Sequence, residues 1–320
     1  MPEEKVMDRR MSPHPEPGSV PELGGVTVGV DGSPASRAAA LWAAQEADHR
    51  ARPLHIVHAA DIDRRALWTA ADTVREMREE AWALLSETAD AVRERFAGLV
   101  VTKELSRQPP VSGLTAAVGR RGTLVVGSRG RGGFPGLSLG SVALGVLSRA
   151  EVPVVAVPDD TVRPESGSVT AAVHDAADLD WLPLAVAEAA SRAAVLALVS
   201  VWNVLSHVGG VASMLDDLGE IAGRRAREIA ELQAQVGALC SDLPVSHRIE
   251  KGSSTAGILV EASEDTDLLV LGRHHPPLGM GRSLGHVAHT LLHHTRCPLM
   301  VVPPGFVTEE SRHALSGARR

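Results

Sequence analysis

The residues of this chain best suited to chemistry are those that would hold an anion. They form the run Gly127-Ser128-Arg129-Gly130-Arg131-Gly132-Gly133-Phe134-Pro135-Gly136-Leu137-Ser138-Leu139-Gly140-Ser141. Glycines let backbone N–H groups approach a negative group closely and take φ > 0, and the unpaired amides and dipole of a helix start favour negative charge. Ser141 adds a hydroxyl donor, and Arg129 and Arg131 add positive charge. A second candidate is Asp31 in the turn Asp31-Gly32-Ser33-Pro34, whose carboxylate could meet a ligand or serve only as a turn residue or helix cap. A third is the histidine group His274, His275, His286, His289, His293 and His294. His286, His289 and His293 could share one helical face, which suits zinc or pH sensing. No Cys or carboxylate at ligand spacing completes the set, so no metal site is expected.

The elements that must position these groups alternate strand and helix. Val26 to Val30 reads as a buried strand ending at Asp31, and Ala35 to Arg50 as a helix. Leu54 to Ala59 is a second strand, Asp72 to Ala97 a long amphipathic helix, Leu99 to Leu105 a third strand and Val111 to Val118 a short helix. Thr123 to Val126 is the fourth strand and leads into the glycine run. A helix from Gly140 to Arg149 and a fifth strand from Pro153 to Val157 follow. Such alternation gives right-handed crossovers and a parallel, doubly wound sheet. In strand order 3-2-1-4-5 the ends of strands 1 and 4 flank a crevice, so Asp31 and Gly127 converge.

The pattern then repeats. Val169 to Val173, Val195 to Val201, Val245 to Glu250, Asp267 to Leu271 and Pro298 to Val302 read as strands. Leu184 to Arg192, Val211 to Leu239, Ala256 to Ala262 and Gly285 to His294 read as helices. Gly127, Gly136, Gly140, Pro153 and Pro158 recur as Gly272, Gly281, Gly285, Pro298 and Pro303, each 145 residues on. The expected organisation is a tail over 1–23, one α/β unit over 24–158, a linker over 159–167, a second unit over 168–304 and a tail over 305–320.

Composition narrows the function classes. The formal net charge of −7 and only three Phe and no Tyr in 320 residues argue against a nucleic-acid partner. Cys240 and Cys297 are the two cysteines, too few for a disulfide framework or a zinc finger. Neither a secretory leader nor a membrane span is expected, which makes the cytoplasm the expected compartment.

The spacing of Gly127, two residues, Gly130, nine residues and Gly140-Ser141 resembles the ATP-binding signature of the universal stress protein family. The likeness covers nearly all of residues 24 to 304, as a tandem member. It implies two five-stranded sheets forming an intrachain pseudo-dimer through their last strands. It also implies ATP, held with Mg2+, at Asp31, Gly32, Ser33, Ala59, Gly127, Ser128, Arg129, Gly130, Arg131, Gly140, Ser141 and Val142. In the family the counterpart of Asp31 meets the nucleoside, the backbone near Ala59 the adenine, and the glycine loop the phosphates. The second copy departs from the pattern: His275 replaces a glycine, His286 replaces the Ser/Thr, and the first strand ends Val173-His174-Asp175-Ala176. Its expected role is structural.

No base or nucleophile is placed for turnover, so at most slow ATP hydrolysis is expected. The reading is an ATP-dependent stress-response switch with unidentified protein partners and a homodimer open to it. Alternatives are a nucleotide-independent interaction module and a nucleotidyl- or phosphotransferase, for which His274 and His275 are the candidate catalytic groups.

Overall fold

The computed structural model describes residues 21–130, 139–159, 164–202, 214–273 and 284–306. Arg131, His274 and His275 lie outside the described residues. The first copy runs β1 (Val26–Gly29), α1 (Pro34–His49), β2 (Leu54–Ala59), α2 (Ile62–Ala66), α3 (Ala71–Arg95), β3 (Val101–Ser106), α4 (Pro110–Ala117), β4 (Thr123–Gly127), α5 (Ser141–Arg149) and β5 (Val154–Val157). The second runs β6 (Ser168–Ala172), α6 (Leu182–Ser191), β7 (Val195–Trp202), α7 (Met214–Leu239), β8 (Val245–Lys251), α8 (Thr255–Ala262), β9 (Leu268–Gly272), α9 (His286–His294) and β10 (Leu299–Val302).

The ten strands form one sheet in the order β3-β2-β1-β4-β5-β10-β9-β6-β7-β8. Pairing is parallel within each half, and the halves join where β10 runs antiparallel to β5, with Met300 opposite Val155. The expected order 3-2-1-4-5 and the expected pairing through the last strands are both present, and the two five-stranded sheets are continuous. Alternation explains how one sheet serves two cores. Val155, Val157, Met300 and Val302 belong to the core on one face, beneath α1, α3, α6 and α7. Val154, Ala156, Leu299 and Val301 belong to the core on the other, beneath α5 and α9.

Some boundaries differ from the sequence reading. β3 begins at Val101, because Phe96 to Val100 form the turn out of α3. The five-residue α2 has no amphipathic period to announce it and was not expected. In the second copy a 3-10 turn, Ala176–Asp180, replaces the first turns of the opening helix, leaving α6 with 10 residues against 16 in α1.

A buried ring of four charges crosses the seam. Arg50, the C-cap of α1, donates from Nε to Glu46 and from Nη2 to Glu188 on α6, each at 2.5 Å. Arg192, the C-cap of α6, donates from Nη1 to Glu188 at 2.5 Å and from Nη2 to Glu46. Arg50 also reaches the Thr123 hydroxyl at 2.9 Å, and the Arg192 guanidinium sits 6.0 Å from the Trp42 ring. All four side chains are at most 6% exposed, so each charge depends on the others for the solvation it has lost. Glu46 and Arg50 correspond to Glu188 and Arg192 across the duplication, which gives the ring the approximate twofold symmetry of the chain.

Candidate functional site

The site is built at the carboxyl ends of β1 and β4, where the sheet order reverses. Beyond β1 the chain turns sharply: Gly32 has φ of +84°, and Asp31 Oδ1 accepts the Ser33 amide at 2.9 Å. Capping of α1 falls to Ser33, whose hydroxyl accepts the Ser36 amide at 3.1 Å. Asp31 is therefore not the N-cap, and its second oxygen faces across the crevice: a Cβ placed on Gly130 would lie 2.8 Å from Asp31 Oδ2. The strand-1 carboxylate and the strand-4 glycine loop thus meet although 99 residues separate them.

On the β4 side the loop entry is fixed by backbone bonds. Ser128 is buried, its amide donates to Val157 O at 2.8 Å, and its carbonyl accepts the Gly140 amide at 2.8 Å. Gly140 is the N-cap of α5 and has no side chain to cap the helix, so among the described residues no side chain caps the first-turn amides. Ser141, Val142 and Ala143 present that turn to a cleft of about 1230 Å³. Asp31, Gly32, Ala59, Gly127, Arg129, Gly130 and Gly140 line the same cleft. Ser33 and Ser128 stand behind the wall, the former as a helix cap and the latter as the frame of the loop. Arg129 is half exposed and lies 3.5 Å from Asp159.

Several lining residues escaped the sequence reading. His58, at the end of β2, bonds through Nδ1 to Val30 O at 2.6 Å and so ties β2 to the β1 turn. Its place beside Ala59 at a strand end was the available signal. Arg37 donates to Gly32 O at 2.6 Å, one helical turn beyond the cap. Leu114 of α4, which a Cβ on Gly29 would strike at 2.8 Å, closes the floor. Arg65, Met77, Glu80, Leu84 and Glu87 form the far wall, from α2 and α3.

The equivalent crevice of the second copy is built differently. Asp178, fully buried, accepts the His174 amide at 2.5 Å, the Asp175 amide at 3.1 Å and the Trp181 indole N–H at 2.8 Å. The Trp181 ring lies where a Cβ on Gly272 would project, and Gly285 enters α9 with φ of +74° where Gly140 has −77°. His174 occupies the position of Asp31. On α9 the rings of His289 and His293 lie 4.8 Å apart, and burial, with lesser repulsion from His289 and His294, holds the His293 pKa below its ordinary value. No group of three metal-binding side chains gathers among the described residues. Neither Cys240 nor Cys297 forms a disulfide among the described residues. No helix among the described residues is long and apolar enough to cross a membrane.

Residues 25–158, and again 167–303, match the sequence model described as Universal stress protein family. Universal stress protein Rv2005c of Mycobacterium tuberculosis is 32% identical over 292 residues, covering 87% of this chain and 96% of the relative. Universal stress protein Mb2028c of Mycobacterium bovis is likewise 32% identical over 292 residues, with the same coverage. Among solved structures, a universal stress protein from Archaeoglobus fulgidus superposes with a TM-score of 0.60 at 19% identity, over 88% of this chain and 98% of its own, a likeness of fold.

Proposed function

This chain belongs to the universal stress protein family, and on that premise we propose that it is an ATP-binding regulatory protein of the stress response whose first copy holds the nucleotide. The observation that carries the reading is the meeting of the Asp31 carboxylate with Gly130 and the uncapped start of α5 in one cleft. The α5 amides and the Ser141 hydroxyl suit phosphate oxygens, and Arg129 supplies a cation at the same end. Asp31 suits a ribose hydroxyl, while the Ala59 backbone beside Leu114 offers an edge and an apolar face to a base. Mg2+ would arrive on the phosphates and neutralise their charge, with the Asp31 carboxylate and Ser141 hydroxyl as the oxygens this cleft can add. The second copy, with Trp181 and Asp178 in its crevice, acts as the structural partner. The working units are 24–158 and 168–304, joined by 159–167.

Calorimetric titration of the full chain with ATP and Mg2+, beside the double variant Gly130→Val and Gly140→Val, tests this. A Cβ at Gly130 presses on Asp31, and one at Gly140 meets only ordinary contacts, so the variant should fold and fill its own cradle. One site per chain, lost in a variant of unchanged melting temperature, is the expected result. Two sites would move part of the binding into the second copy. No binding to the native chain would favour an interaction module that works without nucleotide.

A further inference from the structure

We propose that Arg273, from the second copy, is a positioning residue for the phosphate end of the first copy's cleft. The proposal rests on the nucleotide reading above. Arg273 follows β9 at the place where Ser128 follows β4, 145 residues earlier, and its amide donates to Val302 O at 2.7 Å as that of Ser128 does to Val157 O. The backbones match and the side chains do not. The Arg273 side chain crosses the β5–β10 seam, is 8% exposed, and donates from Nη1 to Leu147 O at 2.8 Å.

Leu147 lies in the last turn of α5, where carbonyls run out of intrahelical partners and the helix dipole is negative. A buried guanidinium there satisfies an orphan acceptor with a charge of the favourable sign. α5 has nine residues and is about 13 Å long. Its other end is the uncapped turn of Ser141, Val142 and Ala143 on the cleft. It is seated tightly between: a Cβ on Gly145 would lie 2.6 Å from Val111 Cγ2 of α4, the helix that closes the cleft floor. Helix α5 is thus a short rigid element packed on α4, and Arg273 holds the end remote from the ligand. Ser128 is too short to make the reciprocal contact with α9. The device runs one way, from the second copy to the first, and gives the ligand-poor copy a hold on the phosphate site.

The test separates phosphate from nucleoside. ATP with Mg2+ and adenosine are each titrated into the full chain, native and carrying Arg273→Met, Arg273→Gln or Arg273→Lys, with the melting temperature recorded for all. Arg273→Met should weaken ATP roughly three- to tenfold by freeing the α5 end while leaving adenosine unchanged. Arg273→Lys should recover most of the loss. Arg273→Gln, which retains an N–H donor, keeps the question answerable if the Met variant fails to fold. Equal losses for ATP and adenosine would mean that Arg273 only stabilises the fold, and no change for either would mean that it does not position α5. Either result overturns the proposal. A native chain that binds neither ligand sinks the reading of the cleft itself, a different failure from a native chain that binds both while its variants do not discriminate.

Discussion

The charge ring at the seam makes the stability of this protein depend on pH in a way that runs against the usual behaviour of acidic proteins. Two carboxyls share two guanidiniums in a space closed to water. Burial raises Glu46, but Arg192 and Arg50 more than reverse it and bring it from 4.5 to about 2. Burial also raises Glu188, and with the neighbouring Glu46 charge it outweighs the two arginines, pushing it from 4.5 up to about 7. The contacts of the two residues are equivalent, so these steps belong to the pair: one proton leaves easily, and the second only against the charge already formed. The lowered step contributes stability that is present above pH 4.5 and lost as pH falls toward 2. The raised step contributes stability that is fully present below pH 4.5 and lost as pH rises through 7. At about 1.4 kcal/mol per pH unit, each limb is worth about 3 kcal/mol. For a chain of 320 residues that corresponds to roughly 4–5 °C in melting temperature. Calorimetric melting from pH 3 to 8 should therefore peak near pH 4.5 to 5 and decline on both sides. Glu188→Gln or Glu46→Gln removes the second proton, so either should flatten the limb from pH 5 to 7 while keeping the acid limb. A native melting temperature that is level or rising between pH 5 and 8 would refute the shared-proton reasoning and mean that both carboxyls stay ionised.

Two local perturbations follow from the same contacts. Asp267 gathers the amides of Ser166, Gly167 and Ser168 at the end of the linker, with Gly167 at φ of +70°, so Asp267→Ala should cost about 1–3 kcal/mol, read by urea unfolding. A Cβ on Gly127 would lie 2.7 Å from the Ala35 carbonyl carbon, in backbone that cannot swing aside. Gly127→Ala should therefore destabilise by about 1–3 kcal/mol and weaken ATP binding by pushing α1 and β4 apart; a variant as stable as the native chain would contradict that packing.

Much of the fold was legible because it is written in period and repetition. Apolar runs such as Thr123 to Val126 and the 145-residue recurrence of glycine and proline marked out two doubly wound units, while the β5–β10 seam was expected from the family resemblance. The convergence of Asp31 and Gly130 followed from topology, since the switch point lies between strands 1 and 4 in this order. The rest was hidden by reach. Glu46 with Arg50 reads on a helix as an ordinary solvated i,i+4 pair, and so does Glu188 with Arg192. Only the twofold arrangement of α1 and α6 turns two surface pairs into one buried ring. Arg273 stands beside His274 and His275 in sequence, and its contact with Leu147 spans 126 residues. Asp178 and Trp181 act at a helix opening, the 3-10 turn Ala176–Asp180, that sequence period did not resolve.

The two copies differ in their sites but share an apolar last strand and a Glu-Arg pair at their seam, and the physics of an exposed edge explains the difference. All four residues of β5 and of β10 are buried, and each strand has a partner on only one side within its own copy. Taken alone, either copy would present an apolar edge strand ready to pair with another chain. Strand β10 covers β5, and the charge ring fixes the register, because a slipped pairing would leave buried charges without partners. Both copies must therefore keep an apolar last strand and a paired Glu and Arg at the seam, whatever happens at their crevices. The end of β6 is free to be rebuilt around Asp178 and Trp181, and the end of β9 is free to carry Arg273. In this arrangement the duplicate stabilises its partner through the seam and acts on the partner's cleft through a single side chain.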